Sequence, residues 1–218
     1  MLIFGWAAHT VSTLSSHNSD VKLLYYSEGL LGQLIVADHP IYDSATGKVK
    51  SYVRYLFMNR ITQTLMQLDS SEQKYFTYVN MISDYARSIP VENRNALVLG
   101  LGGGSIANEL AGNGFRVDVC ELDERIYQVA KKYFSLNGKV NVTIDDARHF
   151  IRLVARSKEL KNKYDLIVFD VFRGEETPSH VFTKECLSEI KQLLSAQGVI
   201  IVNGNGYWKG EADRKSVV

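Results

Sequence analysis

The stretch VLGLGGGS, residues 98–105, decides the fold because it joins a short apolar run to a glycine-rich turn. Gly100, Gly102 and Gly104 let the backbone turn tightly, and the helix expected to follow would direct its first amides at a bound ligand. A second stretch, Glu121-Leu122-Asp123, comes roughly 20 residues later, at the end of the next apolar run. Together the two stretches predict a nucleotide- or nucleoside-binding sheet.

Apolar runs alternate with helical patterns after the first stretch. Five runs read as strands: 96–99, 116–120, 140–144, 166–169 and 199–202. Helices are expected after residue 105, over 124–134, from residue 147 and from residue 183. The strands are continuously apolar, which is typical of a parallel sheet covered on both faces by helices. We therefore predict an α/β fold with a doubly wound, mostly parallel, Rossmann-like sheet.

A different pattern precedes this domain. The runs 23–26, 32–37 and 53–58 are rich in aromatic and β-branched residues, and turn-formers at 43–47 separate two of them. They predict a small antiparallel β unit, followed by a helix that includes Tyr78 and ends before Pro90. The expected organisation is an apolar lead over 1–20, a β unit plus helix over 21–88, and the Rossmann-like domain over 89–218.

Composition excludes several classes of partner. With 25 basic and 24 acidic residues the formal net charge is +1, which does not favour nucleic acid or an anionic membrane. Cys120 and Cys186 stand in apolar contexts without zinc-like spacing, so we expect buried, reduced thiols, no metal and a cytoplasmic location. The apolar opening at 1–8 is too short to span a membrane, but it would fit the end of a membrane helix in a longer protein.

Acidic side chains follow three of the predicted strands: Glu121 the second, Asp145-Asp146 the third and Asp170 the fourth. The carboxyl ends of parallel strands share one edge, where ligands bind. Glycines that serve only packing, and acids that only cap the next helix, are the alternative for each feature taken alone. An NAD site is the competing ligand class, but position 105 is serine rather than the third glycine of that fingerprint, so an S-adenosyl ligand is favoured.

The runs 98–104, 119–123, 144–147 and 164–170 together resemble the spermidine synthase family, which has the class I methyltransferase-type fold. The resemblance covers roughly 22–208 and is closest to the branch fused to membrane transporter-like segments, on the wording of 170–174 and 178–183. It implies S-adenosylmethionine or its decarboxylated form as donor, and a homodimer stays open. The site residues that it implies are Gln63 on the sulfonium side, the turn glycines, Glu121 at the ribose, Asp146 at the adenine and Asp170 at the reacting amine. Asp123 is also expected to bind the cofactor, and Tyr78 is expected on the acceptor side.

Two departures from the family pattern concern the acceptor. Gly103 stands where the family has an aspartate for the donor's aminopropyl ammonium, and Arg173 stands where it has a second acceptor-side aspartate. Val79 and Asn80 also replace a histidine and a glutamate. A polyamine is a string of ammonium groups, so these changes predict a protein that is not a standard polyamine synthase, with an anionic or neutral acceptor. The alternative for Arg173 is a solvent-facing side chain or a pair with Glu175 or Glu176.

Three hypotheses of function remain from the sequence. The first is a spermidine-synthase-like domain that binds an S-adenosyl nucleoside or methylthioadenosine. The second is an active aminopropyl- or methyltransferase with a non-polyamine acceptor, and the third is a non-catalytic nucleoside sensor attached to a membrane protein. His180 is either a proton-transfer group above the site or an ordinary loop residue. The family continues beyond the point where this chain ends, which favours a fragment.

Overall fold

The computed structural model describes residues 20–69, 76–91, 93–157, 163–171 and 178–203. These residues form two compact units, one before residue 75 and one after it. The predicted boundary between residues 88 and 89 stays a prediction, and in this division the helix expected to accompany the β unit belongs to the second unit.

The first unit is an antiparallel sheet of four strands in the order β1-β2-β3-β4. Its strands are β1 (Lys22–Gly29), β2 (Gly32–Tyr42), β3 (Val49–Met58) and β4 (Ile61–Gln67). The sequence predicted three of them and missed β4. Asn59 and Arg60 join β3 to β4 with φ values of 48° and 70°, the two-residue turn whose twist suits an antiparallel hairpin.

A β-bulge in β4 places Gln63 outside the regular pairing. Leu56 pairs with Thr64 and Phe57 with Thr62, so Gln63 is the extra residue between two paired positions. A bulge bends the strand and re-aims a side chain, and bulges are common beside ligand sites. The residue that the family resemblance assigns to the donor therefore stands at an irregularity of the first sheet.

The second unit is built on five parallel strands in the order β7-β6-β5-β8-β9. They are β5 (Asn95–Leu99), β6 (Arg116–Glu121), β7 (Asn141–Ile144), β8 (Tyr164–Phe169) and β9 (Leu194–Val202). The helices are α1 (Thr77–Ser88), α2 (Ser105–Gly112), α3 (Glu124–Tyr133), α4 (Ala147–Arg156) and α5 (Lys184–Leu193), with a short 3-10 turn at Ser179–Val181. The predicted fold class is confirmed.

Burial within the sheet follows strand position. Every residue of β8 is buried and so are four of the five residues of β5, as expected for central strands covered on both faces. In contrast, β7 lies at an edge, and three of its four residues are exposed. The edge strand β7 is therefore more open to solvent than the central strands.

Helix α1 is fixed to the second unit by polar contacts with α2 and the turn after it. The Ser83 hydroxyl donates to Glu109 at 2.7 Å, and the Asn113 amide donates to Ser83 Oγ at 3.0 Å. Val79, Ile82 and Ala86 supply the buried face of the helix. These contacts explain why α1, which includes Tyr78, belongs to the unit of the parallel sheet rather than to the β unit.

Cys120 and Cys186 are buried free thiols, as predicted. Within the described ranges no helix is long and apolar enough to cross a membrane. Those same ranges also contain no group of three or more His, Cys, Asp or Glu side chains arranged to hold a metal ion.

Candidate functional site

The glycine turn after β5 has the backbone that the sequence predicted. Gly100, Gly102 and Gly104 have φ values of 92°, 53° and 84°, in the left-handed region that favours glycine. A Cβ on Gly100 would lie 2.3 Å from the carbonyl oxygen of Asp170, so a side chain there would separate the ends of β5 and β8. Gly104 is the N-cap residue of α2. The turn thus brings the ends of two central strands together.

Glu121, the last residue of β6, has a buried carboxylate that two backbone amides hold. Leu101 N donates to Oε2 at 2.9 Å and Asp123 N donates to Oε1 at 2.8 Å. Burial raises the pKa of Glu121, while these two hydrogen bonds act in the opposite direction. Each oxygen keeps acceptor capacity after these bonds. The carboxylate is therefore preorganised against the glycine turn and can still accept two hydroxyl groups.

Asp123 has the contacts of a helix cap. Its side chain accepts from Arg125 N at 2.9 Å, and its Oδ2 lies 2.6 Å from the Arg125 guanidinium. Both interactions are local and both stabilise the start of α3. The predicted cofactor-binding role of Asp123 stays a prediction, and its observed partners are those of the capping alternative.

Asp145 and Asp146, which follow β7, each contact a histidine. Asp145 contacts Nδ1 of His149 at 2.7 Å, four residues along the chain. Asp146 caps α4 by accepting from His149 N at 2.9 Å, and its Oδ2 lies 3.5 Å from Nε2 of His180. His180 therefore reaches the acid predicted to bind adenine rather than Asp170.

Two apolar side chains next to these acids are open to solvent. Leu122, beside Glu121, is 52% exposed, and Ile144, beside Asp145, is 41% exposed. Exposed aliphatic residues at the carboxyl edge of a parallel sheet are suited to the flat face of a base. The sequence indicated the acids here but not these apolar neighbours.

Asp170, which follows β8, is the centre of a three-residue cluster. Its backbone N donates to Leu99 O at 2.8 Å, and its Oδ1 accepts from Nδ2 of Asn203 at 2.7 Å. The Tyr78 hydroxyl, from α1, donates to the same carboxylate. Tyr78 and Asp170, both predicted site residues, are therefore brought together.

The surroundings of this cluster change the proton affinity of its members. Burial raises the pKa of Asp170 to about 6, against the lowering effect of the hydrogen bonds from Asn203 and Tyr78. Burial and the neighbouring Asp170 charge raise the pKa of Tyr78 well above its ordinary value. A carboxylate with a pKa near 6 is still ionised at neutral pH and accepts a proton more readily than an ordinary aspartate.

Asn203 is a site residue that the sequence analysis missed. It follows β9, so the rule that selected the acids after the second, third and fourth strands also selects the residue after the fifth. A rule restricted to acidic residues does not select a neutral asparagine. Arg173 lies outside the described residues. Gln63 lies at the bulge of the first unit.

A parallel sheet in this order, with a glycine turn and acidic strand ends, is the architecture of spermidine synthases and class I methyltransferases. Residues 75–217 match the family described as Spermine/spermidine synthase domain, and the chain belongs to that family. A polyamine aminopropyltransferase from Vibrio vulnificus is 31% identical over 208 residues, which are 93% of this chain and 65% of the relative.

Two further comparisons bear on the fold and on the range of related chemistry. An N-terminal histidine N-methyltransferase from Emericella nidulans is 38% identical over 112 residues, 51% of this chain and 20% of the relative. A solved spermidine synthase in complex with the transition state analogue AdoDATO shares the fold, with a TM-score of 0.61 and 17% identity over 83% of this chain and 57% of that one. The chain thus spans just under two thirds of the length of the aminopropyltransferase and a fifth of the length of the methyltransferase.

Proposed function

We propose that this chain is an S-adenosyl-nucleoside-dependent transferase that alkylates an amine, with Asp170 as the general base. The observation that carries the proposal is the cluster of Tyr78, Asp170 and Asn203 around a carboxylate with a pKa of about 6. A module that only sensed a nucleoside would have no use for a base with two oriented donors. The cluster therefore favours a transferase over the sensor.

The nucleoside half of the proposal rests on the β6 and β7 ends. Glu121 is fixed by Leu101 N and Asp123 N, and two hydroxyl groups of a ribose are the natural partners for its free acceptor positions. Asp146 would accept from the exocyclic amine of the adenine, with Leu122 and Ile144 against the base. The solved relative that binds AdoDATO and the name of the aminopropyltransferase relative agree with a ligand of this class.

The transfer step follows from the position of Asp170. An acceptor ammonium gives one proton to the Asp170 carboxylate, and the nitrogen lone pair that results attacks the carbon bonded to the donor's sulfonium. The carbon–sulfur bond breaks, its electron pair stays on sulfur, and a neutral thioether nucleoside leaves. Tyr78 would hold the carboxylate towards the amine through its hydroxyl.

For the acceptor, we propose an amine that is neutral or anionic overall rather than a polyamine. This part rests on Gly103 and Arg173 alone, which remove two carboxylates from positions where the family has them. The names of the relatives do not support a loss of polyamine synthesis, so the acceptor must be tested directly. An arginine in place of the family's aspartate makes the local charge more positive by two units, and at close range this charge repels a polycation.

Methyl transfer from S-adenosylmethionine is the second candidate. The observation that favours it is the 38% identity over 112 residues with a histidine N-methyltransferase. Gly103 is compatible with it, because an aspartate in the turn would repel the donor's carboxylate and glycine does not. The polyamine aminopropyltransferase relative instead supports a decarboxylated donor and aminopropyl transfer.

Titration calorimetry with S-adenosylmethionine, its decarboxylated form, methylthioadenosine and S-adenosylhomocysteine tests the proposal. Preference for the decarboxylated donor and methylthioadenosine indicates aminopropyl transfer, and preference for the other two ligands indicates methyl transfer. The released thioether is then followed by mass spectrometry with a panel of amines, with Asp170→Asn as the matched inactive control. Absence of binding by all four ligands would contradict the proposal.

A further inference from the structure

Asn203 forms two hydrogen bonds at the end of β8. Its backbone N donates to Phe169 O at 2.8 Å, and its side-chain Nδ2 donates to Asp170 Oδ1 at 2.7 Å. The first bond continues the pairing of β9 with β8, and the second leaves the ladder to reach a carboxylate. Asn203, directly after β9, therefore binds two consecutive residues, Phe169 and Asp170, at the end of β8.

We propose that Asn203 is a positioning residue that fixes the orientation and the charged state of the Asp170 carboxylate. The inference rests on the transferase function proposed above. An amide donor suits this task because it orients a carboxylate without neutralising it, whereas a lysine or an arginine would pair with the negative charge and weaken the base. Asn203 itself need not touch the substrate.

Tyr78 and Asn203 approach Asp170 from different elements. The tyrosine comes from α1 and the asparagine from the end of β9, so the carboxylate has one donor from each. A carboxylate has about four acceptor positions, and two of them stay open for the amine. With one donor removed, the carboxylate would rotate more freely and would hold its proton more tightly, because a bond to the charged form is lost.

A purely structural role makes a different prediction. If Asn203 only closed the end of the sheet, its replacement would lower the stability of the protein and leave the proton affinity of Asp170 unchanged. The titration of Asp170 in the folded protein therefore separates the two roles without depending on the identity of the substrate.

The experiment is a carbon-13 NMR titration of the protein labelled at the aspartate carboxyl carbons, with the Asp170 signal assigned as the one missing from Asp170→Asn. Asn203→Leu keeps the shape of the side chain and removes the donor, and Asn203→Gln keeps a donor on a longer stem. The matched control is Asn95→Leu, because the Asn95 amide donates to Lys163 O at 3.1 Å at the opposite end of the sheet.

We expect the Asp170 midpoint to rise by about one pH unit in Asn203→Leu, to return towards the parent value in Asn203→Gln and to stay unchanged in Asn95→Leu. The acidic limb of kcat/KM should move by the same amount. An unchanged or lower midpoint in folded Asn203→Leu overturns the proposal, and so does a midpoint a full unit above the parent value in folded Asn203→Gln. A raised midpoint in a protein that turns over no amine would instead contradict the transferase function and leave the positioning relationship standing.

Discussion

Asp146 Oδ2 lies 3.5 Å from Nε2 of His180, so the carboxylate proposed to recognise adenine also contacts an imidazole. The same carboxylate caps α4 through its other oxygen, Oδ1. Nucleoside binding would therefore exchange an imidazole contact for a contact with the exocyclic amine. His180 would then compete with the nucleoside for Asp146 instead of transferring a proton at Asp170.

Replacement of His180 by alanine should tighten the binding of methylthioadenosine. The two side chains are 57% and 43% exposed, and an exposed pair of this kind is worth at most about 1 kcal/mol, which limits the gain to about fivefold. His149→Ala is the matched control for the histidine side chain, because that imidazole contacts Asp145 instead. Weaker binding by His180→Ala, measured by calorimetry, would show that His180 contacts the ligand itself.

Glu121→Ala should weaken nucleoside binding by tenfold or more, about 1.4 kcal/mol, because two hydroxyl groups lose a charged acceptor. The structure adds a cost in stability of about 1–3 kcal/mol, since Leu101 N and Asp123 N lose their buried partner.

Asp165→Ala is the control for that loss of stability. Asp165 also accepts a backbone bond, from Asn95 N at 3.1 Å, but it stands near the amino end of β8. The Asp165→Ala variant should lose stability and keep its affinity for methylthioadenosine. If both variants lose affinity equally at a temperature where they are folded, Glu121 does not bind the ribose.

The glycine turn and the acidic strand ends could be predicted from the sequence because both depend on local signals, left-handed backbone at Gly100 and the position of Glu121 after an apolar run. The position of Asn203 after the fifth strand is a local signal too, but its contact with Asp170 is not, since the two residues lie 33 positions apart. The bulge at Gln63 breaks the two-residue period on which strand prediction depends. The contact of His180 with Asp146 likewise requires the tertiary structure.

Asp170→Asn should abolish amine alkylation, with a loss of about 100-fold or more, because the proton acceptor is removed. The same change should stabilise the protein at neutral pH. In the parent, burial raises the pKa of Asp170 from 3.8 to about 6, so the folded state binds this proton more tightly than the unfolded state does. The contribution of Asp170 to stability is therefore most favourable below pH 4 and decreases as the pH rises to 6.

Thermal unfolding between pH 3.5 and pH 8 tests the sign of this effect. The advantage of Asp170→Asn should grow between pH 4 and pH 6 and then stay constant, at up to about 3 kcal/mol. An advantage that does not depend on pH would mean that the Asp170 proton is bound equally well in the folded and the unfolded chain.

The parent protein should form no measurable spermidine from putrescine and decarboxylated S-adenosylmethionine. Gly103 and Arg173 leave two ammonium groups without the carboxylates that would hold them. Mass spectrometry of the product mixture measures the outcome, and methylthioadenosine release in the same mixture reports any other transfer. Turnover of about 1 per second or faster would show that other carboxylates have replaced the missing ones.

The double substitution Gly103→Asp with Arg173→Asp should move the acceptor preference towards diamines. It restores the carboxylates that the family pattern has at both positions and leaves Glu121 and Asp146 unchanged. Putrescine binding in the presence of methylthioadenosine should then strengthen by about tenfold or more, because each restored carboxylate can form a charge-assisted hydrogen bond with an ammonium group. Gly102 and Gly104, the neighbours of Gly103, must keep their left-handed backbone in this variant, so methylthioadenosine affinity is measured first as the control. A double variant that keeps this affinity and binds putrescine no better than the parent would mean that charge at these two positions does not determine the acceptor.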